Sequence, residues 1–181
     1  MQEIKKFVWI DLEMTGLDIT KDVILEVAII ITDHNCNILY SGNSYIIHQD
    51  EKNLENMNDF CKDMHTKNGL IALVKNSETS LLDVEIKLTE IINKYIDKKN
   101  GILSGNTVWQ DRTFLEKYMP NVLSLLHYRL LDVSTIKELG IAWYGPHIKY
   151  KKKETHRALD DVLESINELQ HYKKMFFKEQ L

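Results

Sequence analysis

The first part of this chain contains three mostly apolar runs whose composition is typical of strands. Residues 7–12 are apolar except for Asp11, and residues 23–32 are apolar and rich in β-branched side chains, so both predict buried strands. A turn over residues 35–37 leads to a third predicted strand over 38–47. Because the connections are short, the three strands are expected to form an antiparallel meander.

The rest of the chain alternates between helical patterns and short strands. Residues 53–74 are expected to be helical in part, with a break at Gly69, and residues 79–96 to form a helix. The apolar positions of that helix lie near helical spacing: Leu82, Ile86, Ile91, Ile92 and Tyr95. Short strands are predicted over residues 101–105 and 128–131.

Three further helices complete the predicted order. One covers residues 111–118 and stops at Pro120. The next follows the last strand, with either Asp132 or Ser134 as its N-cap. The last covers residues 157–176, and its core stripe is formed by Leu159, Val162, Ile166 and Leu169.

This order of elements predicts an α/β fold. Three antiparallel strands followed by strands that are joined through helices give a mixed sheet flanked by helices, and a ribonuclease H-like topology fits that order. The chain shows no internal repeat, no low-complexity tract and no linker, and only 7 Gly and 2 Pro interrupt it. We therefore expect a single domain over residues 1–181.

The composition limits the classes of protein to which this chain can belong. The apolar content of 44% is that of a globular domain, no apolar run is long enough for a membrane span, and Cys36 and Cys61 lack metal-site spacing. The first strand begins so early that we expect no signal peptide, and we expect a cytoplasmic protein without membrane contact. The net charge of −4 disfavours a protein that grips long nucleic acid, because such proteins are usually basic.

Two carboxylates interrupt the first apolar run. Side chains alternate between the two faces of a strand, so Asp11 and Glu13 point to the same side. Adjacent acids on a core strand repel each other and lose hydration, and a hard divalent cation such as Mg²⁺ would offset both effects. The alternative is that these acids mark the solvated end of a strand.

Two later segments carry similar chemistry. Asp111 follows a short strand at the start of a predicted helix, as a possible ligand or as an acid that the helix dipole favours. His156 and Asp161 are separated by about 140° if they share one helix, so they approach one centre only if His156 lies at or before the helix start, with Thr155 as a possible cap. The alternative is a loop histidine beside surface acids.

Together these residues resemble the DEDD exonuclease superfamily in its histidine-containing branch. The matching pattern is Asp11-x-Glu13, then Asp111, then His156-x4-Asp161. The resemblance to the oligoribonuclease family extends from about residue 7 to residue 176. Four stretches carry it: WIDLEMTGLD (9–18), GNTVWQDRTFLEKYMP (105–120), HYRLLDVSTIKEL (127–139) and THRALDDVLESINEL (155–169).

The resemblance implies a 3′→5′ exoribonuclease that degrades very short RNA, especially dinucleotides, to 5′ mononucleotides. Two divalent cations, Mg²⁺ or Mn²⁺, would clamp the scissile phosphate. By the same resemblance, Asp11 bridges both ions, Glu13 and Asp161 hold the first, and Asp111 supports the second. His156 is the implied general base.

The resemblance also implies residues that bind short substrates. Leu17 and Phe60 would wedge against the bases, although the family usually has tryptophan at the second position; core packing is the alternative. His65 would contact substrate, or it is a solvated loop histidine. The 5′ phosphate would be capped by Thr107 (often serine in the family), Arg129, Ser134 and Thr135, of which the last two are alternatively helix-cap residues.

Three further expectations concern the oligomeric state, a basic run and the competing functions. Tyr128 matches a residue that reaches the partner's site in the family's homodimer, so we expect a homodimer. The basic run of Lys149, Lys151, Lys152 and Lys153 is typical of a solvated loop, with attraction of phosphates as the alternative, and it receives no site role. The rival functions are another exonuclease of the superfamily, for DNA proofreading or tRNA trimming, and a catalytically silent nucleotide-binding protein.

Overall fold

A mixed β-sheet lies at the centre of the fold. The computed structural model describes residues 5–97, 99–152 and 156–177. The strands within these ranges are β1 (Lys6–Met14), β2 (Ile24–Thr32), β3 (Ile38–Ser41), β4 (Tyr45–Ile46), β5 (Gly101–Gly105) and β6 (Leu130–Asp132). The α-helices are α1 (Glu51–Glu55), α2 (Asp59–Lys67), α3 (Leu70–Asn76), α4 (Leu81–Tyr95), α5 (Trp109–Tyr118), α6 (Pro120–Ser124), α7 (Val133–Tyr144) and α8 (Ala158–Phe176), and a 3₁₀ helix covers Pro146–Ile148.

The sheet has the strand order β3-β2-β1-β5-β6, with β4 also paired to β2. β1 pairs antiparallel with β2, and β2 pairs antiparallel with β3 and β4. β1 and β5 are parallel, as are β5 and β6. This arrangement confirms the predicted α/β fold, in which an antiparallel meander is followed by parallel strands that return through helices.

Some predicted boundaries were wrong. The single strand expected over residues 38–47 is two short strands, because the small and polar residues 42–44 interrupt the pairing with β2. β6 begins at Leu130, so Tyr128 precedes the strand. Pro120 ends α5 as expected, but it also begins α6, since proline is tolerated in the first helical turn.

The predicted apolar stripe of α4 was also partly wrong. Leu82 and Ile86 are exposed, whereas the buried face of the helix carries Val84, Leu88 and Ile91. The side chain of Glu85 is buried on the same side, and its Oε1 accepts a hydrogen bond of 2.8 Å from the backbone N–H of Asn121. Residues 82 and 84 point in nearly opposite directions on a helix, so a two-residue error exchanges the faces.

The two faces of β1 are covered by different helices. Val8, Ile10 and Leu12 are buried in a cluster with side chains of α4, α5 and α6. Trp9, on the other face, is buried with Val162 and other residues of α8. Asp11 and Glu13 follow Trp9 at intervals of two residues along the strand. They therefore share its face and point toward the side that α8 covers. Across the described ranges, no helix combines the length and apolar composition needed to cross a membrane.

Candidate active site

Three carboxylates from two distant parts of the chain converge beside β1. Asp11 and Glu13 come from β1, and Asp161 comes from the first turn of α8. One ligand oxygen from each lies within 4.8 Å of the others. We call these residues the acidic cluster. Their donor set consists of carboxylate oxygens alone, which suits a hard divalent cation such as Mg²⁺ or Mn²⁺.

A fourth carboxylate, Asp111, adjoins this cluster. It lies in the first turn of α5 and is buried, and its Oδ1 accepts a hydrogen bond of 3.0 Å from the backbone N–H of Leu12. Leu12 lies between Asp11 and Glu13 on β1. Asp111 is therefore tied to the strand of the acidic cluster, and its place in the first turn of α5 is also the one that the helix dipole favours for an acid.

Burial, and for Asp11 and Glu13 also the neighbouring carboxylates, disfavour the ionised forms of the acids at this site. Burial, followed by the charges of Asp111, Glu13 and Asp161, raises the pKa of Asp11 well above its usual value. Burial also raises the pKa of Glu13 to about 8 and that of Asp111 to about 8, and it raises the pKa of Asp161. A bound divalent cation would stabilise the ionised forms that burial disfavours.

His156 lies just before α8, on the same side of the fold as Asp161. Its backbone is in the left-handed region at φ 52°, its side chain is exposed, and its carbonyl oxygen accepts a hydrogen bond of 2.6 Å from Asn68 Nδ2. The charge of His156 lowers the pKa of Asp161, so the two side chains are close enough to interact. The helix starts at Ala158, which satisfies the condition derived from the spacing; Thr155, the possible cap, lies outside the described residues.

An ion pair that the sequence did not reveal ties this segment to the sheet. Arg157 Nε lies 3.0 Å from Glu26 Oε2, and Arg157 Nη2 lies 2.9 Å from Glu26 Oε1. Glu26 has no exposed surface and lies opposite Glu13 in the β1–β2 register. The signal available in the sequence was a lone carboxylate inside the apolar strand β2.

His65 does not occupy the position that either sequence interpretation gave it. It lies in α2 with no exposed surface, so the solvated-loop alternative is wrong and direct contact with substrate is blocked in this structure. Its Nε2 lies 3.0 Å from the carbonyl oxygen of Met14 and 3.9 Å from Glu13 Oε2, and burial lowers its pKa. We therefore assign His65 as a neutral side chain that supports the end of β1 next to Glu13.

Leu17 and Phe60 are large apolar side chains that project into solvent. Leu17, three residues beyond β1, is 68% exposed, and Phe60, in the first turn of α2, is 74% exposed. The alternative that they pack in the core is therefore wrong. Gln110 Nε2, next to Asp111 in sequence, hydrogen-bonds the Leu17 carbonyl oxygen at 3.3 Å, which places the Leu17 loop beside α5.

Thr107 and Ser134 meet where β5 and β6 end. The Thr107 backbone N–H donates to Asp132 Oδ1 and to Ser134 Oγ, each at 3.0 Å, and the two hydroxyl oxygens are 3.3 Å apart. Ser134 Oγ in turn donates to Asn106 Oδ1 at 3.0 Å. Asp132 is the N-cap of α7, since its side chain accepts from the Ser134 N–H, so Ser134 is not the cap.

The remaining predicted substrate residues lie on the surface. Tyr128 is 71% exposed, its ring stacks on His127 with 4.5 Å between centroids, and the Arg129 guanidinium lies 5.5 Å from the Tyr128 ring centroid. Arg129 and Thr135 are also exposed. Among the contacts of the described residues, none joins Tyr128, Arg129 or Thr135 to the acidic cluster, so their roles stay predictions.

Comparison with known proteins agrees with this geometry. The family model described as Exonuclease matches residues 8–169. The chain is 51% identical over 175 residues to a probable oligoribonuclease of Dictyostelium discoideum, covering 96% of this chain and 92% of that protein. It is 45% identical to the oligoribonuclease of Francisella tularensis, with coverage of 96% and 97%, and 45% identical to the mitochondrial oligoribonuclease of Homo sapiens, with coverage of 98% and 76%.

Solved structures share the fold at low sequence identity. Exonuclease I from Methylocaldum szegediense matches with a TM-score of 0.72 at 14% identity, over 96% of this chain and 41% of that chain. Exonuclease I of E. coli, in complex with a 5cy-dT13 oligonucleotide, matches with a TM-score of 0.70 at 13% identity, over 96% and 42%. This chain therefore spans less than half of those proteins. From the family model and the sequence relatives, the chain belongs to the exonuclease family and, within it, to the oligoribonucleases.

Proposed function

We propose that this chain, an exoribonuclease of that family, cleaves very short RNAs from the 3′ end, dinucleotides above all, and releases 5′ mononucleotides. The observation that carries the proposal is the approach of Asp11, Glu13 and Asp161 to within 4.8 Å, with Asp111 hydrogen-bonded to the same strand. Such a convergence of buried and partly buried carboxylates is costly without a cation, and hydrolysis of a phosphodiester benefits from one.

The carboxylates divide between two divalent cations in this proposal. Glu13 and Asp161 would hold the first, Asp111 would support the second, and Asp11 would serve both. Bound there, Mg²⁺ or Mn²⁺ supplies positive charge that stabilises the phosphate in the transition state. The raised pKa values of Asp11, Glu13 and Asp111 support this role, since burial leaves these carboxyl groups with a strong preference for a neutralising partner.

His156 is the general base in this mechanism. It accepts a proton from the water that attacks phosphorus; the bond from phosphorus to the 3′ oxygen breaks, and that oxygen is then protonated. His156 precedes α8, and its exposed side chain is accessible to a substrate. Histidine gains and loses a proton near neutral pH, which suits this task.

Short substrates are favoured by contacts at both ends. The exposed side chains of Leu17 and Phe60 are available for stacking on bases, and Thr107 and Ser134, with Arg129 and Thr135, would bind the 5′ phosphate. The proposal includes a homodimer in which Tyr128 reaches the partner's site. Its exposure of 71% supports such a contact.

A panel of substrate lengths tests this function. We expect 5′-phosphorylated RNAs from two to about ten nucleotides to be hydrolysed with steeply falling efficiency as length increases, and a chelator to abolish the activity. Deoxy versions of the same sequences distinguish a DNA proofreading enzyme, and structured tRNA ends distinguish a trimming enzyme. Equal or better hydrolysis of the long RNAs would remove the length-restricted proposal.

A further inference from the structure

A cavity of about 630 Å³ opens beside Thr107 and Ser134. Its other walls are formed by α7, by the 3₁₀ helix and by residues 149–152. The volume is in the range of sites for nucleotide-sized ligands, about 300–1,000 Å³. The cavity therefore begins at the residues proposed to hold the 5′ phosphate and continues away from them.

The walls of this cavity are strongly basic. Lys137 lines it from α7, and Lys149, Lys151 and Lys152 line it from the segment that follows the 3₁₀ helix. His147 lines it from the 3₁₀ helix itself. Within the described ranges, Glu168 is the single carboxylate that lines the cavity. The lysine run is thus more than a solvated loop, because its lysines line the same cavity as Lys137 of α7.

The carboxylate of Glu168 is already paired with a lysine and hydrogen-bonded. Its side chain is buried, its Oε2 lies 3.0 Å from Lys152 Nζ and accepts from Asn106 Nδ2 at 2.9 Å, and its Oε1 accepts from the Tyr172 hydroxyl at 3.1 Å. In the part of the chain that the structure describes, Lys137, Lys149 and Lys151 have no carboxylate partner. Among the described residues of the cavity wall they leave a net positive charge, which a bound anion would neutralise.

The lining also indicates which anion fits. Tyr150 at the wall packs against His171 at a tilt of 54°, with 5.6 Å between ring centroids, whereas four lysines line the same cavity. Lysine ammonium groups bind phosphate oxygens as mobile point charges. A chain of phosphates matches this lining better than a further nucleoside does.

We propose that this cavity binds the additional phosphates of short RNAs whose 5′ end carries a diphosphate or triphosphate. The inference rests on the proposed function, since it requires the first 5′ phosphate to lie at Thr107 and Ser134. Lys137, Lys149 and Lys151 bind the outer phosphates. The chain then accepts the short 5′-triphosphorylated products of RNA synthesis as well as 5′-monophosphorylated fragments.

The test compares one dinucleotide with a 5′ hydroxyl, a 5′ monophosphate or a 5′ triphosphate, at constant free Mg²⁺. We expect the triphosphate to have a KM about tenfold or more below that of the monophosphate, since each lysine contact contributes about two- to fivefold. The advantage should shrink as salt is added. In the variant K137Q/K149Q/K151Q it disappears, while hydrolysis of the monophosphate stays within about twofold.

A matched variant controls for net charge. K52Q/K87Q/K94Q removes the same three charges from exposed positions on α1 and α4 that do not line the cavity. It should keep the triphosphate advantage. Inorganic triphosphate provides a binding readout: it should inhibit monophosphate hydrolysis competitively in the unmodified protein and more weakly in the cavity variant.

Three outcomes overturn the inference. The triphosphate shows no advantage, both triple variants lose it equally, or the cavity variant loses activity on pentanucleotides and not on the triphosphate, which would assign the cavity to a longer RNA chain. Failure of the proposed function is recognised separately, because the monophosphorylated dinucleotide itself would then not be hydrolysed.

Discussion

Arg157 binds Glu26 through two contacts of 3.0 Å and 2.9 Å, and so joins the residue next to His156 to the strand beside the acidic cluster. Glu26 is fully buried and lies opposite Glu13, whereas Arg157 is partly exposed. The backbone N–H of Ala158, the first residue of α8, also points to Glu26 Oε2 at 3.4 Å. A single carboxylate thus fixes both the start of α8 and the segment that carries His156.

Arg157→Ala should lower the free energy of unfolding by about 2–4 kcal/mol, because it leaves Glu26 buried without its charged partner. Urea denaturation measures the change. The double variant Glu26→Gln/Arg157→Ala is the control, since it removes the unpaired charge and should recover part of the loss. An unchanged stability in Arg157→Ala would show that the ion pair contributes little.

The stability of the chelator-treated protein should fall as pH rises. The pKa of Glu13 is raised from 4.5 to about 8 in the folded protein, so the folded state holds a proton that the unfolded state releases. That contribution is fully present below about pH 4.5 and is lost as the pH rises through about 8. Thermal unfolding with and without Mg²⁺ tests this.

Mg²⁺ should raise the melting temperature most at the high end of this range, where the carboxylates are ionised. Glu13→Gln removes one of the titrating groups and should flatten the pH dependence of the metal-free protein. A melting temperature of the metal-free protein that rises between about pH 5 and 8 would contradict the assignment.

Phe60→Ala should raise the KM for a dinucleotide by about five- to 100-fold, as expected for the loss of one base-stacking contact. Its stability should be nearly unchanged, because the ring is 74% exposed. Phe60→Trp should lower the KM, since the larger ring offers more stacking surface. Leu82→Ala, at an exposed apolar side chain on α4, is the matched control and should leave the kinetics unaltered. An unaltered KM in Phe60→Ala would remove the stacking role.

The role of Tyr128 in the partner's site can be tested by mixing two impaired variants of the chain. If it completes the partner's site, Tyr128→Ala and Asp11→Asn should each be impaired alone. After exchange of subunits in an equal mixture, about a quarter of the original activity should return, because half of the dimers are mixed and each of these carries one intact site. Light scattering should show a dimer throughout. A fully active monomer, or no recovery on mixing, would rule out this arrangement.

Local patterns predicted the fold and the acidic residues because both leave a signature along the chain. Alternation on β1 placed Asp11 and Glu13 on one face, as the structure has them. The five-residue spacing required His156 to precede the helix if it shares a centre with Asp161, and in the structure His156 does precede α8. The convergence of Asp161 with β1 followed from the family resemblance, since no local pattern specifies which helix covers which face of a sheet.

Contacts between distant residues could not be predicted in this way. Arg157 and Glu26 are 131 positions apart, and Lys152, Asn106 and Glu168 meet only after three separate elements have packed. The burial of His65 was missed for the same reason, since the side of α2 that faces the sheet depends on how α3 and β1 pack against it. The error in α4 arose because Leu82 and Ile86 are apolar but lie on its exposed face.

The most direct test of the acidic cluster is a calorimetric titration of the chelator-treated protein with Mn²⁺, in the presence of a non-hydrolysable dinucleotide. We predict that two ions bind per chain. Asp11→Asn should lose both this binding and RNA hydrolysis, and urea denaturation should show that the variant is still folded. Binding of Mn²⁺ by Asp11→Asn with unchanged affinity and stoichiometry, or hydrolysis of dinucleotides by that variant, would contradict the account.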